Sequence, residues 1–215
     1  MTHHDHRNEQ TPVAAQENRP TCTAFAVTAA HEWMEGDLPS LSQEFALWSA
    51  KRHGCDAGRE ASSVHAVMRG LSLEGHCLWA DWPYGRPAFP ASPPTAVASG
   101  IKRPLGTWIS IPRPTISRVV SELAVAAVVL TLAFVPIAWS MAQKDGVIHD
   151  SVQSTVGAHA VLAVGSLPPA GPLPTTIIIK NSWGKAWGDS GYGFLTEQYF
   201  KRHIVVATIL GRRHP

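Results

Sequence analysis

The chain has 215 residues, 45% of them hydrophobic and 16% charged, with a formal net charge of +2. That length can bury a substantial core, as one domain or two packed lobes. So small a charge gives no footprint for nucleic acid or a membrane surface. Seventeen prolines and seventeen glycines argue for turns and extended segments rather than a helical bundle.

The N-terminus, MTHHDHRNEQ, is polar and lacks an apolar h-region, so no secretory signal is read. A cytoplasmic location is the default expectation, with signal-independent export left open. The histidine tract could hold a metal, but a frayed, solvated terminus is the preferred reading, and no metal or cofactor is expected.

The first helix is expected over CTAFAVTAAHEW, which no Gly or Pro interrupts until Gly36. Pro20 cannot sit in a helix interior and restrains Arg19, so Cys22 falls in the first turn. Unpaired N–H groups and the helix dipole there make a thiol more acidic. Free cysteine is also among the most buried residue types, so position alone leaves a nucleophile and a core residue both open.

A second helix fits SLSQEFALWSAKRHG, where Ser40 and Gln43 have capping-box spacing and Gly54 supplies a stop. A third runs from Ser62 or Ser63 to Leu73, ending near Gly75. Residues 83 to 115 are proline-rich and read as an extended crossing segment. PTISRVVSEL suits a short helix with Ile116, Val119, Val120 and Leu123 on one face. The most apolar run, residues 124 to 139, would span roughly 24 Å as a helix, short of the ~30 Å hydrocarbon core. It contains Pro136 and reads as a buried helix end followed by a core strand. VVLTLAF, HAVLAVG, TTIIIKN, GYGFLTE and HIVVATI then read as strands. Helices followed by strands predict an α+β fold of two lobes, with a site in the cleft between them.

Nucleophilic cysteine catalysis needs a thiolate, a base or ion-pair partner, a group orienting that partner, and donors for the oxyanion. Gln16, His159 and Asn181 supply candidates in chain order. Singly, each has a plain reading as a loop, strand or turn residue. In combination, QENRPTCTAF, HAVLAVG and IIIKNSWGKAWGDSGYGF resemble the three active-site blocks of papain-family cysteine peptidases. The separation of Cys22 and His159 lies in the ~130–150 residue range of that family. TPVAAQ, SLSQEF, GCDAGR, GHCLWADWPY and DGVI extend the resemblance from about residue 5 to residue 200.

The resemblance implies one papain-like catalytic domain over residues 1 to 215. A helical lobe would span about 16 to 105 and an antiparallel β-barrel-like lobe about 106 to 215, the termini crossing between them. It implies Cys22 as nucleophile, His159 as its imidazolium partner, and Asn181 as the acceptor that orients His159. Trp183 would shield the Asn–His bond. Gln16 and the Cys22 N–H would form the oxyanion hole. Gly58 would pair its backbone with substrate, and Trp187 would shape the leaving-group side. The implied substrate is a peptide or protein, with no nucleic acid or membrane partner.

The chain departs from the family pattern around the nucleophile. The CGSCW of the family is RPTCT here, so Arg19 stands where the upstream half-cystine would be, Pro20 beside it, and Thr23 after the nucleophile. Cys55 thereby loses its usual partner and is either a free thiol or paired with Cys77; three cysteines allow at most one pair. Ala57 replaces a loop glycine, and Ala158 replaces the polar residue before the histidine. No inhibitory pro-segment is read, which raises the expectation of narrow specificity, a partner inhibitor or delivery elsewhere. A thioester-forming acyltransferase or peptide ligase, and a papain fold kept as a binding module, are the alternative readings.

Overall fold

The structure is a computed structural model that describes residues 2–36, 40–53, 61–85, 103–151, 153–169 and 174–211. The first helix, α1 (Cys22–Glu35), is alanine-rich and buried on nearly every side, with Ala24, Val27 and Ala30 at 0% exposure. A helix apolar all round belongs in a core. It packs against two further helices on one side and against sheet strands on the other. The two partners are α2 (Gln43–Arg52) and α3 (Val64–Glu74). Their backbones cross closely, since a Cβ on Gly70 would meet the Ser49 carbonyl carbon at 2.5 Å.

The cap of α2 is Ser42, whose Oγ accepts from the Phe45 N–H at 3.0 Å. The expected Ser40–Gln43 box is not used. Ser40 lies outside the helix, where its carbonyl accepts from Trp79 N–H at 2.7 Å. The third helix follows expectation, with Ser63 accepting from Ala66 N–H and Gly75 ending it at φ 79°.

The second half forms one seven-stranded sheet, ordered β1-β7-β2-β4-β5-β6-β3. Its strands are β1 (Trp108–Pro112), β2 (Ala126–Ala133), β3 (Val147–Ile148), β4 (Ala158–Leu167), β5 (Thr176–Lys180), β6 (Tyr192–Leu195) and β7 (Ile204–Gly211). All neighbours are antiparallel except β3 and β6. The five expected strands are all present. β1, inside the proline-rich crossing segment, and the two-residue β3 are additions. Among the described residues three short helices lie among the strands: α4 (Ile116–Glu122), α5 (Pro136–Met141) and α6 (Glu197–His203). Only the first was expected. Pro136 begins α5 at a position where its missing N–H costs nothing. The result is the two-lobed α+β architecture, and no helix among the described residues is long and apolar enough to cross a membrane.

The N-terminus is not frayed. Beyond the end of the β2 pairing, His6 N–H donates to Val164 O at 2.9 Å and Ser166 N–H to His4 O at 2.7 Å. The histidines are occupied within the fold: His3 bonds Ser166 Oγ, and His6 stacks on His4 and packs on Trp33. Among the described residues no cluster has the makings of a metal site.

The helical lobe also contains a buried histidine pair. His76 Nε2 donates to Ser42 O at 2.9 Å, so its Nδ1 is the acceptor that faces His31 Nδ1 at 3.0 Å. Burial, with Arg103 adding to it, lowers the His76 pKa to about 4. Between pH 6.5 and about 4 the unfolded chain therefore binds a proton that the folded chain refuses. Stability from this group should fall on acidification by about 1.4 kcal/mol per pH unit. Urea midpoints measured at pH 7 and pH 4.5 should differ, and His76→Asn should flatten the slope. An identical slope in the variant would remove His76 as its source.

Candidate active site

Cys22 opens α1, and Thr21 is the N-cap. The Thr21 hydroxyl makes no cap bond; it pairs with Tyr84 OH at 2.8 Å. The Ala24 and Phe25 N–H groups donate to Thr21 O, while the Cys22 and Thr23 N–H groups lie beside the thiol. The thiol is partly buried and lies beside the Ala160 N–H of β4, one residue past His159.

His159 and Asn181 come from different strands. His159 is second in β4, and Asn181 follows the last residue of β5. His159 Nε2 donates to Asn181 Oδ1 at 2.9 Å, with the two residues 5% and 4% exposed. The same Asn181 oxygen accepts from Ser182 N–H at 2.9 Å, which sets the amide's orientation. The imidazole sits among aromatic rings. Trp183 lies 5.2 Å away, Trp139 meets it edge-on at 5.0 Å, and Phe134 is at 5.7 Å. Trp187 stacks on Trp139 at 5.6 Å and lines a separate small recess with Trp139, Trp183 and Gln143.

Phe134 and Trp139 were absent from the sequence expectation. They lie at the end of β2 and in an unexpected helix, and reach His159 only through the sheet pairing. Their signal was present as bulky aromatics flanking Pro136.

The Gln16 side chain is pinned at both ends. Its Oε1 accepts from Ser182 Oγ at 2.6 Å, and its Nε2 donates to Arg19 O at 2.7 Å. One Nε2 hydrogen remains for another acceptor. Gln16 N–H also donates to Ser182 O at 2.8 Å. Ser182, not singled out from the sequence, thus joins the Gln16 amide to the Asn181 amide. Gln16, Cys22, His159, Ala158 and Trp183 all line one open cleft of about 1140 Å³ between the lobes. Gly58, Ala57 and Cys55 lie outside the described residues, while Cys77 is buried.

Burial sets the electrostatics. It pushes the Cys22 thiol up, against the Ala160 and Thr23 N–H groups, and it lowers the His159 pKa to about 4 against the Asn181 bond. The acidified thiol expected from the helix position is therefore not what desolvation gives to Cys22 by itself. A buried chain of hydrogen bonds between two ionisable groups braces the site. Lys180, next to Asn181, donates from Nζ to Thr11 O at 2.7 Å and to Thr11 Oγ1 at 3.0 Å. The Thr11 hydroxyl donates to Glu32 of α1, whose other oxygen accepts from Leu41 N–H at 2.7 Å. Burial lowers the Lys180 pKa to about 8, with Glu32 opposing it.

Where the family pattern has a half-cystine, Arg19 makes a two-pronged ion pair with Glu44, at 2.7 and 2.8 Å. Its guanidinium lies 4.6 Å from the centre of the Tyr84 ring, and Tyr84 OH donates to Gln16 O at 2.8 Å. The loop carries Glu17 at φ 52°, so it needs such fastening. Glu44 is 2% exposed and Arg19 partly buried. Glu44→Gln should cost about 2–4 kcal/mol, because a partly buried cation loses its partner. Chemical denaturation would measure it, and a cost within ~0.5 kcal/mol, as for an ordinary surface change, would show that the pair is not a fastening.

Residues 1–207 match the family described as Papain family cysteine protease. Among curated proteins, the chain is 29% identical over 202 residues to cathepsin R of Mus musculus, covering 85% of this chain and 55% of that protein. It is 29% identical over 188 residues to papaya proteinase 4 of Carica papaya, covering 85% and 51%. The chain thus spans about half the length of these two relatives. Mexicain of Jacaratia mexicana matches at 28% over 194 residues, 85% of this chain and 81% of that one. Among solved structures, the bromelain protease of Ananas comosus in complex with the E64 inhibitor superposes with a TM-score of 0.78 at 22% identity, covering 100% of both chains. Xylellain, a cysteine protease from Xylella fastidiosa, gives 0.75 at 20% identity, over 95% of this chain and 84% of that one. These superpositions establish the fold, and the family match over nearly the whole chain establishes kinship: the chain belongs to the papain family of cysteine proteases.

Proposed function

We propose that the chain is a peptidase that cuts peptide bonds through a Cys22 thioester, with His159 and Asn181 completing a triad and Gln16 in the oxyanion hole. The observation that supports it most is the buried His159 Nε2–Asn181 Oδ1 bond of 2.9 Å. It commits Nε2 and leaves Nδ1 as the ring nitrogen for the Cys22 thiol in the shared cleft. Trp183 and Trp139 keep water from that bond, so it retains the strength of a low-dielectric contact.

In the reaction, Nδ1 takes the Sγ proton and the thiolate attacks the substrate carbonyl carbon. The oxyanion that forms is met by the Cys22 N–H and the uncommitted Nε2 hydrogen of Gln16. His159 passes its proton to the leaving amine as the C–N bond breaks, leaving an acyl group on Sγ. Water, deprotonated by His159, then adds to the thioester; collapse releases the acid and returns the thiol. Trp187 and Trp183 wall the recess on the leaving-group side. Ala158, exposed at the start of β4, places no charge beside His159.

Cys22→Ala should abolish both peptide turnover and labelling by a thiol-directed inhibitor; full activity in that variant would sink the assignment. Gln16→Ala should lower kcat by ~10²–10³, and an unchanged rate would remove Gln16 from the site. Ser182→Ala releases one end of the Gln16 amide and should cost roughly tenfold in kcat, the size of one hydrogen bond, with KM little changed.

A further inference from the structure

The segment from His3 to Gln10 is an arm laid against the rest of the fold, and one side chain in it touches several elements at once. Its backbone runs so close to β4 that a Cβ on Gly165 would meet His4 O at 2.5 Å. The His6 ring packs on Trp33 of α1, with centroids 4.9 Å apart. Its Nδ1 lies 2.8 Å from Glu9 Oε1, and its Nε2 lies 3.1 Å from the carbonyl oxygen of Leu123, the C-cap of α4. Glu9 Oε2 accepts from Trp33 Nε1 at 3.0 Å, so ring, carboxylate and indole close a circuit between the arm and α1.

Both hydrogen-bond partners of the ring are acceptors. A carboxylate and a carbonyl oxygen offer lone pairs only, whereas a neutral imidazole has one N–H and one bare nitrogen. A neutral ring would turn that bare nitrogen toward an oxygen lone pair. Only the imidazolium donates on both sides, and its bond to Glu9 is then charge-assisted.

The neighbouring charges leave this pairing in place. Asp5, the second anion near the ring, is held below the usual carboxylate range mainly by Arg7, with His6 adding to it. Arg7 is committed to Asp5 and Asp189, and Glu122, beside Leu123, to Arg118. On α1, Glu32 is engaged with Thr11, and Glu35 lies 3.7 Å from His31. The stretch of β4 under the arm, Val164 to Ser166, is uncharged, and His3 bonds Ser166 Oγ at 3.0 Å. His4 stacks on the His6 ring at 5.4 Å. Like charges so close repel, and His6 is the ring of the two that bonds a carboxylate.

We propose that the proton on His6 is a latch: while it is held, the arm is fastened to α1, the end of α4 and β4, and its loss at rising pH loosens the arm while the cleft stays formed. The proposal does not depend on the peptidase reading. A group whose charged form the fold binds contributes stability at low pH and loses it as pH rises, the reverse of His76. The Arg7–Asp189 pair that also ties the arm is solvent-exposed and carries little. Past the arm, Thr11 stays bonded to Glu32 and Lys180, and Gln16 N–H to Ser182 O.

Amide hydrogen exchange, read by NMR on the intact chain at about pH 5.5 and about pH 8.5, spans the histidine range and tests the latch. The reporters are His6 N–H, which donates to Val164 O, and Ser166 N–H, which donates to His4 O. After correction for intrinsic rates, both should be about threefold to tenfold less protected at the higher pH, as suits a partly exposed charged pair. Gln16 N–H should show no such loss. In His6→Gln and in Glu9→Gln the two reporters should be poorly protected at both pH values, with the step gone. A step that persists in both variants overturns the latch. The nitrogen resonances of the His6 ring in the wild type read the proton directly. Both nitrogens should be protonated at the lower pH, and one should lose its proton as the reporters lose protection. A singly protonated ring at the lower pH, or equal protection of the reporters at the two pH values, overturns the proposal.

Discussion

The close approach of α1 to the sheet is the constraint on which the site depends. Cys22 sits at one end of that helix, and β4, which carries His159, lies against its flank. Alanine at positions 24, 26 and 30, all nearly or fully inaccessible, lets the helix axis come near the strands. Larger side chains there would force the lobes apart and separate the Cys22 thiol from the Ala160 N–H of β4. The Glu32–Thr11–Lys180 chain fixes the same contact from below, joining α1 to the residue before Asn181. It is held inside the core, where removing one member leaves a buried charge without its partner.

Around that contact the polar groups form a connected set. Ser182 ties the Gln16 amide to Asn181; Asn181 holds His159; Tyr84 and Glu44 hold the loop that ends in Cys22. The loop departs most from its family's sequence pattern, yet its fastening is replaced rather than lost. An ion pair and a stacked aromatic ring stand at the place where the pattern puts a half-cystine. Such a fastening needs no oxidising surroundings, in contrast to a disulfide.

Much of this was legible in the sequence because it is local. The start of α1 follows from Pro20, its end from Gly36, and the ends of α3 from Ser63 and Gly75. The five alternating or apolar runs became strands because nothing in them opposes extension. What was missed is short or set by tertiary contact. β1 sits among prolines and owes its pairing to β7; α5 is six residues long; the cap of α2 moved from Ser40 to Ser42 because Leu41 and Ser42 are drawn into the core. The N-terminal histidines read as a solvated tail because their partners, Val164 to Ser166, lie far along the chain.

For the candidate site, the sequence by itself determined which candidate groups exist, Cys22, His159, Asn181 and Gln16, and their order, since motif spacing is a property of the chain. The tertiary structure decided what they can do. It set the burial that pushes the Cys22 thiol up and lowers the His159 pKa, because desolvation depends on packing and not on neighbours in sequence. It enclosed His159 in Phe134 and Trp139, recruited Ser182 as a link, and lined the cleft with hydroxyls from three strands. Those residues are scattered from Ser110 to Thr208, and only strand register brings them to one face.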